Sequence, residues 1–126
     1  MNILDSMAAE YYGEEIGYVY LMEFKFKAGD SYKTLYKVGI TKNKPVDRML
    51  QIVNDFFSSR RYIPECRLVR YRKIAKYKDM EKHLHSLLSE YSYTFKRPFS
   101  GSSEFFNICI DTIDKVYCEE VPLKKD

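Results

Sequence analysis

Gly17-Tyr18-Val19-Tyr20-Leu21-Met22-Glu23-Phe24-Lys25-Phe26-Lys27 is the stretch on which the reading of the chain turns. Tyr18, Tyr20, Met22, Phe24 and Phe26 fall on one face; Glu23, Lys25 and Lys27 follow Val19 and Leu21 on the other. A period of two marks a strand, apolar on both faces where it starts and on one where it ends. Ala28-Gly29-Asp30-Ser31 is a turn signal. Residues 32–40 then return as the second strand of a hairpin, closing on Tyr36-Lys37-Val38-Gly39-Ile40. Alternation makes Tyr18 and Tyr20 co-facial, pairs Lys37 with Gly39, and turns Tyr36 the other way. A glycine inside a strand admits the close approach of another group.

Beyond the hairpin the period changes. Asn43-Lys44-Pro45 opens a helix, with Pro45 in the first turn, where a missing N–H is tolerated. Val46, Met49, Leu50, Val53, Phe56 and Phe57 repeat at helical spacing as its core stripe, with Arg48, Gln51 and Asp55 to one side. Ser58-Ser59-Arg60-Arg61 is a basic loop, and residues 65–74 read as an Arg-rich third strand. A second helix follows with Asp79 at its cap and Met80, Leu84, Leu87, Leu88 and Tyr91 as its stripe. Residues 94–102 form a loop, 103–110 a short strand, and Asp111 caps a last helix through about Glu119. The expected fold class is α/β of the α+β kind. It has a small, mixed, mostly antiparallel sheet flanked by helices, in the order β-β-α-β-α-β-α. The domain body spans 17–110, preceded by an acidic lead-in (1–16) and followed by a C-terminal helix and tail (111–126).

With 126 residues, 45% of them hydrophobic, the chain suits one domain with its own core. Cys66, Cys109 and Cys118 are widely spaced and odd in number, which argues against a disulfide framework or a zinc site and for reduced, mostly packed thiols. No basic-then-apolar leader and no membrane-length apolar run is present, so a cytoplasmic protein without a membrane partner is expected. Charge is unevenly placed. Residues 1–16 hold four acids and no base, and 111–126 hold five acids against three lysines. The body between them is therefore far more basic than the net +3 suggests, which favours polyanions and salt-dependent binding.

Glu81, in the first turn of the second helix on this reading, shares a face with His85, four residues on, and not with His83. Such a pair suits one divalent cation and one phosphate oxygen. Arg48 draws its meaning from its distance after Gly39.

These features together resemble the GIY-YIG nuclease superfamily. Gly17 to Tyr20 stands at the first motif, Lys37-Val38-Gly39 at the second, Arg48 at the family's arginine, Glu81 at its metal-binding glutamate, and Asn107 at the Asn near the domain's end. Y-K-V-G-I-T, E-x-x-x-H and G-S-S-E-F-F look most like a branch found in bacteriophages, large DNA viruses and bacteria, which carries Lys for the second-motif Tyr. Tyr18 and Tyr20 compete for the first-motif tyrosine, and Tyr20 fits its final pair.

The resemblance implies a metal-dependent endonuclease hydrolysing phosphodiester bonds in DNA, or in RNA. Glu81 would hold Mg²⁺ or Mn²⁺, and Arg48 would neutralise the phosphoryl oxygens. Tyr20, its pKa lowered by Lys37, or Lys37 itself would be the base. His85 would donate to the phosphate or protonate the leaving group, and Asn107 would orient the shell. Tyr18, Arg60, Arg61, Arg70, Arg72 and Lys73 would contact nucleic acid. Glu104 would line the site or pair with a nearby base. The alternative is a catalytically inactive nucleic-acid- or nucleotide-binding module, such as a viral antagonist of host defence. A protein partner for targeting is compatible with either, and a purely structural role would use the acidic ends.

Overall fold

A computed structural model describes residues 16–122. The acidic lead-in over 1–15 and the last four residues lie outside the described residues. The elements are β1 (Ile16–Ala28), β2 (Ser31–Thr41), α1 (Pro45–Arg60), β3 (Glu65–Ala75), α2 (Tyr77–Leu87), a 3₁₀ turn (Ser89–Tyr91), β4 (Ser92–Tyr93), β5 (Phe105–Phe106) and α3 (Ile110–Glu120). They form a five-stranded sheet of order β3-β1-β2-β5-β4 in which every pairing is antiparallel. The fold is α+β, with three helices on two sheet faces.

The alternation read in β1 builds two cores. Tyr20, Met22, Phe24 and Phe26 join Leu35, Ile52, Phe56, Phe95 and Phe105 under α1 and the 94–104 loop. Val19 and Leu21 join Tyr36, Val38, Tyr77, Leu84, Leu88, Ile113 and Tyr117 under α2 and α3. The Tyr117 hydroxyl donates to the Val19 carbonyl at 2.6 Å, tying α3 to the central strand. Phe24 is the hub of the first core, within 5.1 Å of the Phe56 and Phe105 ring centres in edge-on geometry.

Several expectations are corrected. The α1 core face is Pro45, Ile52 and Phe56; Val46, Leu50 and Phe57 are exposed. Helical periodicity supports either stripe, and it is the 94–104 loop, packing Phe95, Phe99 and Gly101 on α1, that selects the one through Ile52. In α2, Tyr77 and Leu84 are the buried residues and Leu87 is exposed. Asp79 is not the α2 cap. Lys76 turns the chain in one left-handed residue (φ 56°), and the helix starts at once on Tyr77. Glu81 therefore sits one turn into the helix rather than within its first turn. Cys109 rather than Asp111 precedes α3. The strand expected over 103–110 shrinks to two residues, with Glu104 before it left-handed (φ 70°) and one further ladder bond after it, from Asn107 N–H to the Tyr91 carbonyl. Cys66 is half-buried, its thiol pushed up to about 12 by burial, whereas Cys109 and Cys118 are exposed rather than packed.

Two strand glycines are steric requirements. A Cβ on Gly17 would lie 2.7 Å from the Tyr77 ring, and one on Gly39 would overlap the Tyr20 hydroxyl. Gly17→Ala therefore forces the Tyr77 ring off its seat. We expect a loss of about 1–3 kcal/mol in urea unfolding, with Gly29→Ala, where nothing lies within 4 Å, owing its cost to the positive φ alone.

Candidate active site

β2 outruns its neighbour. It pairs with β5 at Tyr36 and Lys37, one further backbone bond joins Val38 to Glu104, and residues 39–41 run on as an open sheet edge. Side chains from both faces converge there. Val38 N–H donates to the Glu104 carbonyl at 3.4 Å, and the Val38 carbonyl accepts from His85 Nε2 at 2.8 Å. The His85 bond brings α2 against the edge from the second face, and Glu81 comes with it, one turn earlier.

Lys37 is the interior charge of the site, 1% exposed. Its Nζ donates to the Gly101 carbonyl (3.1 Å), the Ser103 carbonyl (2.7 Å) and Glu104 Oε2 (3.4 Å), and lies 5.1 Å from the Phe105 ring centre. The two carbonyls can only accept, and Glu104 is the ion-pair partner of Nζ. Burial lowers the Lys37 pKa, and the Glu104 carboxylate opposes that. The lysine thereby staples the 99–104 loop to the sheet.

Tyr20 reaches the same edge from the first face, its hydroxyl over Gly39 and within reach of the Arg48 charge. The expectation that Lys37 lowers the phenol pKa does not hold. Burial raises it, and Arg48 is the group that opposes the rise. Arg48 also donates to Gln51 Oε1 at 3.2 Å, one turn along α1.

Glu81, His85 and Glu104 each bring one potential ligand atom, and these atoms all lie within 4.8 Å of one another. Burial and then the Glu104 charge raise the Glu81 pKa, against the pull of His85 and Lys37. Two carboxylates and an imidazole are donors that a small divalent cation accepts, so the residues fit the metal expected at Glu81.

The structure thus brings Tyr20, Lys37, Arg48, Glu81 and His85 to the same end of the sheet, together with Glu104, which pairs with Lys37 as expected. Tyr18 and Lys73 face a neighbouring hollow of about 510 Å³, with Lys42, Lys44 and Gln51 also lining it. Gln51 in turn lines a smaller hollow with Arg48, Asn54 and Ser100. The remaining cationic residues lie elsewhere. Arg60 is twelve residues past Arg48, about 18 Å along the helix. There it stacks on Phe56, Phe95 and Phe99 and bonds the Arg97 carbonyl. Arg61, the left-handed α1 cap, is exposed at that same far end. Arg70 pairs with Asp114 on α3, and Arg72 bonds the Val121 carbonyl over Tyr117. Asn107 is exposed just past β5.

Arg70 and Arg72 miss the site face because of a β-bulge. Between the Leu21–Arg70 and Met22–Leu68 pairs, β3 holds one extra residue, Val69. A single inserted residue flips everything beyond it to the other face. Tyr71 and Lys73 therefore share the face of Tyr18, with the Tyr18 and Tyr71 ring centres 6.1 Å apart. Nothing in the residue pattern marks that bulge.

The T5orf172 domain family matches residues 17–119, which contain every residue of the cleft. The chain belongs to that family. Neither the curated proteins nor the solved structures give a match. T5orf172 domains are associated with nuclease-type phage proteins. Among the described residues of this T5orf172 domain, no helix is long and apolar enough to cross a membrane.

The raised Glu81 pKa has a consequence for stability. Folding binds that proton more tightly than the unfolded chain, whose Glu titrates near about 4.3. The contribution is full below that pH and is lost as pH rises through the higher folded value. In chelator, Glu81→Gln is expected to raise the melting midpoint at pH 7, with the gain vanishing by about pH 4. Thermal melts at the two pH values check it.

Proposed function

We propose that this T5orf172 domain is a metal-dependent endonuclease of the GIY-YIG type that hydrolyses phosphodiester bonds in DNA. The observation that supports this reading best is the meeting of Tyr20, Arg48 and the Glu81–His85–Glu104 group at one open strand edge. Glu81 would hold Mg²⁺ or Mn²⁺, which supplies polarisation of the phosphate and stabilises the leaving oxygen. Arg48 faces the developing charge on the phosphoryl oxygens. Tyr20, as the phenolate that the Arg48 charge favours, takes the proton of the attacking water and becomes the neutral phenol. Lys37, its donors spent on the loop, positions rather than reacts. Tyr18 and Lys73, with Lys42 and Lys44 beside them, offer the strand a basic track next to the cleft.

One observation favours a second reading, a binding module without cleavage. The group at the second-motif position is committed to carbonyls and a carboxylate inside the fold, not to a substrate.

Plasmid and single-stranded DNA, incubated with Mg²⁺ or Mn²⁺, separate the two. Cleavage should vanish in Glu81→Ala and fall by about 10²–10³ in Arg48→Ala. With the Tyr20 pKa raised by burial, the phenolate fraction grows about tenfold per pH unit. The cleavage rate should accordingly climb from pH 6 to 9 without a plateau, and Tyr20→Phe should flatten the climb. DNA binding that persists in EDTA, with no cut in either metal, supports the binding module instead.

A further inference from the structure

We propose that Glu81, His85 and Glu104 act together as a three-donor centre that selects a divalent first-row transition ion over Mg²⁺, with His85 ligating through Nδ1. This rests on reading the cleft as a metal site, and goes beyond it in the ligand set and the metal.

His85 has its tautomer set by the fold. The Val38 carbonyl at 2.8 Å from Nε2 can only accept, so Nε2 carries a proton and, in the neutral ring that a metal binds, the lone pair is on Nδ1. A metal-ligating histidine is ordinarily held in this way, its other ring N–H given to a carbonyl or carboxylate. The bond fixes α2 against the sheet edge, which places Glu81, four residues earlier, on the same side.

Glu104 comes from a different element and is held more firmly still. Its Oε2 faces Lys37, leaving Oε1 for another partner. The carbonyls of Gly101 and Ser103, on the same loop, accept from the same buried ammonium, and the Glu104 carbonyl accepts from Val38 N–H. Its backbone is left-handed at φ 70°, an uncommon conformation for a non-glycine residue. A salt bridge to Lys37 alone needs neither that backbone nor the nearness of Glu81. The two carboxylates are close enough to repel one another, and a cation between them and His85 removes the conflict.

The donor set decides the metal. Mg²⁺ prefers oxygen ligands and retains most of its waters, whereas imidazole nitrogen suits Fe²⁺, Ni²⁺ and Zn²⁺; Mn²⁺, the weakest binder of the first-row series, is the most stringent probe of that preference.

Calorimetric titration of the full chain with Mn²⁺ and with Mg²⁺, joined to pulsed EPR of the Mn²⁺ complex, tests this. Mn²⁺ should bind about tenfold or more tightly than Mg²⁺ and show nitrogen coupling. Glu104→Gln and His85→Asn should each weaken Mn²⁺ by about tenfold or more, and His85→Asn should erase the coupling. Should His85→Asn fail to fold by circular dichroism, the wild-type coupling and the Glu104→Gln titration decide. Mn²⁺ affinity unchanged in both variants, with no nitrogen coupling, overturns the three-donor centre. A Glu81-dependent nuclease would survive that result. Three-donor binding without any cleavage of DNA would instead retain the centre and remove the nuclease.

Discussion

The buried ammonium of Lys37 is the constraint on which the site depends. An ion with 1% exposure is costly to desolvate, and only a complete set of partners offsets that cost. Lys37 finds them in two loop carbonyls and the Glu104 carboxylate. The partners all come from 101–104, so one side chain of the sheet determines where that loop lies. The loop in turn covers α1 through Phe95, Phe99 and Gly101 and carries Glu104 to the sheet edge. Removing one member of such a buried set costs about 3–5 kcal/mol in other proteins, because the rest is left uncompensated.

The second constraint is steric. Gly17 and Gly39 each make room for one tyrosine ring, Tyr77 on one face and Tyr20 on the other. The first lets α2 begin directly against β1, which brings Glu81 and His85 to the edge. The second lets the Tyr20 hydroxyl cross β2 and meet Arg48. With β5 ending after two residues, the edge stays open between these two arrivals. The chemistry thus sits where the sheet is least finished, and there the Glu81 and Glu104 carboxylates are held close together.

Much of this was legible in the residue pattern. The alternation of β1 gave both of its faces, and the glycines and Pro45 marked the hairpin and the start of α1. The ordered motifs brought Tyr20, Lys37, Arg48, Glu81 and His85 to the foreground. What escaped was set by long-range packing. The choice of Ile52 over Leu50 as core depends on a loop more than forty residues away. The placement of Arg70 and Arg72 depends on the bulge at Val69. The Lys37 partners are mainly backbone carbonyls, which no side-chain pattern encodes. Glu104 was visible as an acid but not as a left-handed residue facing Glu81 and His85.

Hydrogen exchange in Lys37→Met, which keeps most of the stem and removes the charge, tests the central claim most directly. If the ammonium organises the site, amides of residues 99–104 exchange at least about tenfold faster than in the parent protein, while β1 and β3 stay protected. Unchanged exchange across 99–104 in a folded Lys37→Met protein would contradict the account.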